Sequence, residues 1–153
     1  YLSPGGEVMA DAIIEFKGEH AFLSNFYAAD LVWQNILWPT SEHAYQGAKT
    51  LDAQSRINIA NLGSPGQAKR AGKTLTLRPD WESIKYDIMY DIVRTKFIQN
   101  YDLARALLDT GDVLLEEGNT WNDRIWGVCP PGSGNGTNWL GKILMAVRAE
   151  LRG

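Results

Sequence analysis

The sequence predicts an α+β domain, rich in helix and with one small β-sheet. Three observations carry that expectation. A stretch near Pro79 to Asn100 repeats apolar residues at helical spacing. Two further helix starts are marked by Ser or Thr caps. Strand-like runs are few and short, the clearest being Leu31-Val32-Trp33 and Ile36-Leu37-Trp38.

Along the chain, Ala12 to Phe16 reads as a first strand, followed by an aromatic-rich loop to Tyr27. The two Trp-ending runs form a hairpin, because Asn35 tolerates the turn at Gln34-Asn35. Pro39 ends the second strand. Thr40 or Ser41 caps a helix running to about Leu51, with Glu42 in its first turn, where negative charge is favoured. A short helix covers Asp52 to Ala60, and Ser64-Pro65 opens another with proline at its first position. In the long helix Trp81, Ile84, Ile88, Ile92 and Phe97 form the apolar stripe. A short helix over Leu103 to Leu108, a strand over Val113 to Glu117 and a loop over Cys129 to Thr137 follow. The last helix, Asn138 to Leu151, buries Leu140, Ile143, Leu144 and Val147.

At 153 residues, 44% of them apolar, the chain suits one compact domain over residues 11–153. Residues 1–10 are expected to be a disordered N-terminal segment or an expression scar, with Met9 as the natural start after Tyr1 to Val8. No apolar run reaches the roughly 20 residues of a membrane span. One cysteine, Cys129, permits no internal disulfide and suits a reducing compartment, so a cytoplasmic location is expected. Two histidines and one cysteine are too few for a usual zinc site, and no acidic cluster suggests magnesium. A net charge of −3 argues against broad affinity for nucleic-acid backbone, though not against recognition of one modified base. Nothing points to a membrane or to an obligate protein partner.

Two stretches carry the chemistry. Thr40-Ser41-Glu42-His43-Ala44-Tyr45-Gln46 and Gly118 to Gly127 each set a carboxylate among aromatic and amide side chains. A carboxylate beside aromatics must be paired, neutralised or put to use. If Glu42 and Asp123 converge on one pocket, they can protonate a leaving group and activate water, while aromatics grip a flat ring. Each also has an ordinary reading: Glu42 complements a helix dipole, and Asp123 sits in a turn whose tryptophans belong to the core. Lys49, two helical turns after Glu42, falls near the same face. Asn25 can bond its own turn or read the edge of a heterocycle. His20 and His43 read as hydrogen-bonded scaffolding. The Gly-rich loop from Cys129 to Asn138 feeds a helix and can bind an anion there, or be a plain connection capped by Asn138.

Taken together, Phe22-Leu23-Ser24-Asn25-Phe26, Ser41 to Gln46 with Ala48-Lys49, Pro65 to Lys69, Trp81, Tyr86 and Met89, Thr120 to Asp123 with Trp126-Gly127, and Gly136 to Met145 resemble the NADAR family, the YbiA-like proteins. The motifs follow the family's order from about Ile13 to the C-terminus. The resemblance implies an N-glycosidase with no metal or organic cofactor. Glu42 and Asp123 fall on the family's acidic positions, with Trp121 and Asn122 beside the second. Asn25 and Tyr45 match cleft positions, Lys49 matches the family's Gln-x-x-Lys helix and is taken as substrate-binding, Trp126 offers stacking, and Gly136 and Asn138 are our own addition as a phosphate cradle. The resemblance implies two substrate classes, and the Gly-rich loop after Cys129 favours the diphosphate-bearing one, ADP-ribose on guanine, free or within DNA. The alternatives are a ribosylamine intermediate of early riboflavin synthesis, or a binding module for NAD or ADP-ribose without turnover. Two carboxylates would repel a diphosphate in a pure binder, which favours the hydrolase.

Overall fold

The computed structural model describes residues 11–153; the expectations for residues 1–10 lie outside them. The fold is α+β and dominated by helix. Among the described residues, contacts separate two compact units: residues up to Ser24 with Asp102–Gly153, and Asn25–Tyr101. No helix among these residues is long and apolar enough to cross a membrane.

In the Asn25–Tyr101 unit, strands β2 (Leu31–Trp33) and β3 (Ile36–Trp38) pair antiparallel with Val32 opposite Leu37. Gln34 and Asn35 both adopt positive φ, 50° and 64°, the geometry of a two-residue turn matched to strand twist. Leu31, Trp33 and Trp38 turn inward, leaving Val32 and Leu37 exposed. The Trp38 indole donates to Trp33 O at 3.0 Å, and the Trp33 indole donates to Asp91 at 2.8 Å. The Gln99 side chain closes the strand edge by bonding both Val32 N and Val32 O, at 2.7 and 2.9 Å.

Helices α1 (Ser41–Ala48), α2 (Ala53–Ala60), α3 (Pro65–Gly72) and α4 (Trp81–Gln99) complete this unit. Thr40, Asp52 and Ser64 cap the first three by accepting from the backbone amides of His43, Ser55 and Gln67. All eight residues of α1 are buried, so it is an internal helix despite its polar composition. It ends three residues before the expected Leu51, with Lys49 as C-cap. The buried stripe of α4 runs through Trp81, Met89, Ile92, Val93, Lys96 and Phe97, while Ile84 and Ile88 lie half-buried. Lys96 is 1% exposed, lies 5.2 Å from the centre of the Phe97 ring, and has its pKa lowered to about 7 by burial.

In the other unit, β1 (Ala12–Ile13) pairs parallel with β4 (Leu114–Leu115), both shorter than expected. The segment read as an aromatic loop contains a 3-10 helix, Gly18–Leu23. Helix α5 (Tyr101–Asp109) starts two residues earlier than Leu103. Helix α6 (Trp139–Leu151) buries Leu140, Ile143, Leu144 and Val147, as its periodicity predicts. Among the described residues the strands form two separate two-stranded pairs rather than one sheet.

Candidate active site

The start of α1 is fastened from both sides. The amide of Glu42 donates to Asn25 O at 3.0 Å, taking up one of the orphan donors of a first helical turn. The Ser41 hydroxyl donates to Asn25 Oδ1 at 2.9 Å, and Asn25 Nδ2 reaches Met89 Sδ at 3.5 Å. His43 is 1% exposed, and burial lowers its pKa, keeping the ring neutral. Leu62 O, 3.0 Å from Nε2, can only accept, so Nε2 carries the proton and Nδ1 accepts from the Thr40 hydroxyl at 2.7 Å. His43 is scaffolding, as its sequence setting suggests.

The Glu42 side chain is drawn into the unit, at 7% exposure, and its Oε1 accepts from Gln46 Nε2 at 2.8 Å. Gln46 Oε1 is buried with no hydrogen-bond partner. Tyr45 packs against Trp81 with ring centres 5.2 Å apart and planes tilted by 55°. Lys49 lies 5.7 Å above the Tyr45 ring. Burial lowers the Lys49 pKa, and Glu42 opposes that shift. Of the sequence-predicted residues, Glu42, Asn25, Tyr45 and Lys49 thus gather around the same helix. Glu42, Tyr45 and Lys49 follow i, i+3, i+7 spacing, so one helix face presents a carboxylate, an aromatic wall and a cation.

The segment around Asp123 belongs to the other unit and is a braced turn. Asp123 Oδ1 accepts from the amides of Ile125 and Trp126 at 3.0 and 2.9 Å. No bond to Arg124 is involved. Asn122 adopts φ 67°, a conformation asparagine tolerates better than most residues. Asn119, 2% exposed, accepts from Asp123 N at 3.0 Å and donates to Asp123 O at 2.8 Å. Its Nδ2 also lies 3.1 Å from Glu117 Oε2. Sequence reasoning passed over Asn119 as a site residue; its only signal was an amide four residues before the carboxylate. Trp126 packs edge-on to Trp139 at 5.3 Å, whereas Trp121 is 58% exposed.

Gly136 and Asn138 are placed differently from an anion cradle. Asn138 has φ 52°, and its side chain does not cap α6. Instead it donates to Leu115 O at 2.9 Å and accepts from Glu117 N at 3.0 Å. The amides of Asn138, Trp139 and Leu140 already donate to the carbonyls of Gly127, Ile125 and Trp126. An anion at this helix start would have to displace those bonds. Gly136, at φ 150°, passes so close to Gly127 O that a Cβ would strike it. Its glycine serves chain packing. Among the described residues, no three His, Cys, Asp or Glu side chains group as metal ligands.

A model of the NADAR domain matches residues 15–152. The chain is 40% identical over 149 residues to the N-glycosidase YbiA of Escherichia coli (strain K12), covering 94% of this chain and 91% of that protein. It is 38% identical over 134 residues to an N-glycosidase of Nostoc punctiforme, covering 84% of each. Identity is 41% over 135 residues to a riboflavin biosynthesis protein of Vibrio vulnificus, covering 87% of this chain but only 36% of the relative's length. The NMR structure of E. coli YbiA superimposes with a TM-score of 0.81 at 39% identity, covering 95% of this chain and 88% of that one.

Proposed function

The chain belongs to the NADAR family, and on that premise we propose that it is an N-glycosidase hydrolysing the bond between a ribose carbon and a nitrogen. The observation that carries the proposal is Glu42: a carboxylate drawn into an internal helix, held by an amide and flanked by an aromatic pair and a lysine. A carboxylate confined in that way can stabilise positive charge on a sugar and take a proton from water.

In the proposed reaction the C1–N bond breaks and its electron pair leaves with the nitrogen, giving an oxocarbenium-like ribose. Water attacks C1, its proton passes to Glu42, and Glu42 hands that proton to the departed nitrogen, so that water ends as the ribose hydroxyl and one N–H of the leaving group. Lys49 lies close enough to Glu42 for each charge to steady the other. Asp123 belongs to the other unit, and no step of this reaction is assigned to it. Its turn is preorganised by Asn119, and Oδ2 makes no hydrogen bond among the described residues.

For the substrate, the relatives named for riboflavin biosynthesis favour a ribosylamine intermediate of that route. A phosphate cradle at the α6 start would favour ADP-ribose on guanine, but the amides there are already bonded. ADP-ribosyl-guanine is kept as the second substrate. The test is a mass-spectrometric assay of both, with the native protein and Glu42→Gln. Native turnover, falling by roughly 100- to 10,000-fold in the variant, is the expected result. Full activity in a folded Glu42→Gln protein would remove Glu42 from the mechanism. Release from neither substrate would leave a nucleotide-binding module as the better reading.

A further inference from the structure

Resting on the N-glycosidase reading, we propose that Arg56 and Arg78 are positioning residues: by occupying the carbonyl end of helix α1, they commit the Lys49 ammonium to the side of Tyr45 and Glu42. The last carbonyls of a helix lack partners within it and are a ready resting place for a lysine in the final turn. Lys49, the C-cap of α1, would fold back onto them by default. Every carbonyl from Gln46 to Thr50 is already served, however. Gln46 O and Gly47 O accept from the amides of Lys49 and Thr50. Ala48 O accepts from Arg78 Nη1 at 3.4 Å, Lys49 O from the Arg78 amide at 2.8 Å, and Thr50 O from Arg56 Nε at 2.8 Å. Two arginines thus take the last three carbonyls. The Lys49 ammonium lies instead over the Tyr45 ring, one turn back toward Glu42.

The charges agree with that placement. Burial lowers the Lys49 pKa, and the charged groups that act on it are Glu42, Lys69, Lys73 and Lys85. Neither arginine does so, which sets the ammonium away from the end of its own helix. Arg56 and Arg78 do feel each other: burial lowers the Arg56 pKa, and Arg78 lowers it further. Closing a helix of eight residues does not require two guanidinium groups. Arg78 is balanced by a forked pair with Asp80, at 2.7 and 3.1 Å. Arg56 has no such balance. It is 9% exposed, its other bond goes to Gln34 Oε1 at 2.6 Å, and its Nη2 has no partner among the described residues. A buried guanidinium held by neutral oxygens and the Trp33 ring, 5.9 Å away, is a costly way to close a helix. What it adds is positive charge at the place to which the Lys49 ammonium would otherwise return. Glu42 therefore faces a cation that has nowhere to retreat.

The experiment follows the Lys49 ε-methylene by NMR in the full chain, with carbon-labelled lysine and the signal assigned by its loss in Lys49→Arg. In the native protein it should lie upfield, through the Tyr45 ring current, and titrate below the ordinary 10.5. Arg56→Met and Arg78→Met should each move the signal toward that of a free lysine and raise its midpoint, as Lys49 swings back onto the vacated carbonyls. Arg56→Lys, which can still donate to Thr50 O, should stay close to native. Arg105→Met, the same change of charge on α5, should alter neither quantity. In the two Met variants kcat should fall about 10-fold with KM little changed. A signal and midpoint unaltered in whichever Met variant folds would overturn the proposal, because lost stability alone leaves Lys49 over Tyr45. Displacement of Lys49 without loss of kcat would overturn it as well. The signal needs no turnover, so a Lys49 displaced in a chain that hydrolyses neither substrate would keep the positioning and dismiss the glycosidase reading.

Discussion

Gln46 donates to Glu42 Oε1 across 2.8 Å, one turn along the same helix. The bond fixes the direction of the carboxylate. Replacing Gln46 with Met keeps the volume and removes the donor. Steady-state kinetics should then show kcat falling about 10-fold or more with KM little changed, because a hydrogen bond to a charged group contributes about 1.5–3 kcal/mol. An unchanged kcat would mean that Glu42 is oriented without Gln46.

Gly72 tests the same helix crossing from the opposite side. A Cβ at this position would collide with the buried Gln46 amide, which has no room to retreat between α1 and α3. Gly72→Ala should therefore cost about 1–3 kcal/mol, read as a lower urea midpoint at constant slope. Activity should fall along with it, since the displaced side chain is the one that holds Glu42.

Asn119 is the keystone of the Asp123 turn. Its side chain serves both the amide and the carbonyl of Asp123 and also reaches the Glu117 carboxylate. Asn119→Ala strands buried polar groups, each costing about 1–3 kcal/mol. Thermal melts should show that loss. If Asp123 takes part in the reaction, kcat should fall in the fraction that remains folded, although the carboxylate itself is untouched.

Lys96 sets a pH dependence of stability. In the unfolded chain it titrates near 10.5, whereas burial brings the folded value to about 7. Between those values the unfolded state binds more protons, so stability should rise as pH increases from about 7 towards 10. The Lys49 pKa is also lowered, and it contributes in the same direction. Denaturant titrations from pH 7 to 9.5 should show the rise, and Lys96→Met should flatten most of it. A native curve that is level over this range would refute the assignment.

The features legible in the sequence were those fixed by neighbours in the chain. Thr40, Asp52 and Ser64 mark helix starts because a cap needs only the next three residues. Gln34-Asn35 marks the hairpin for the same reason. That Glu42 and Lys49 share a face was readable from helical spacing, whereas Tyr45 came in through the family resemblance. Long-range partners were not readable. The pairing of β1 with β4 joins residues about a hundred positions apart, so their short length had no local signal. Asn138 looked like a cap but bridges to Leu115 and Glu117. Lys96 broke the apolar stripe of α4, and a charge at such a position reads as surface until its surroundings are known.

A helix with every residue buried has one more consequence. The α1 amides hydrogen-bonded within the helix have no solvent-facing side from which to fray, so their protons can exchange with water only when the surrounding unit opens as a whole. The proposed catalytic carboxylate is therefore carried by one of the most slowly exchanging segments of the chain. Partial unfolding that spares activity must begin elsewhere, and a state that has lost α1 has lost catalysis with it.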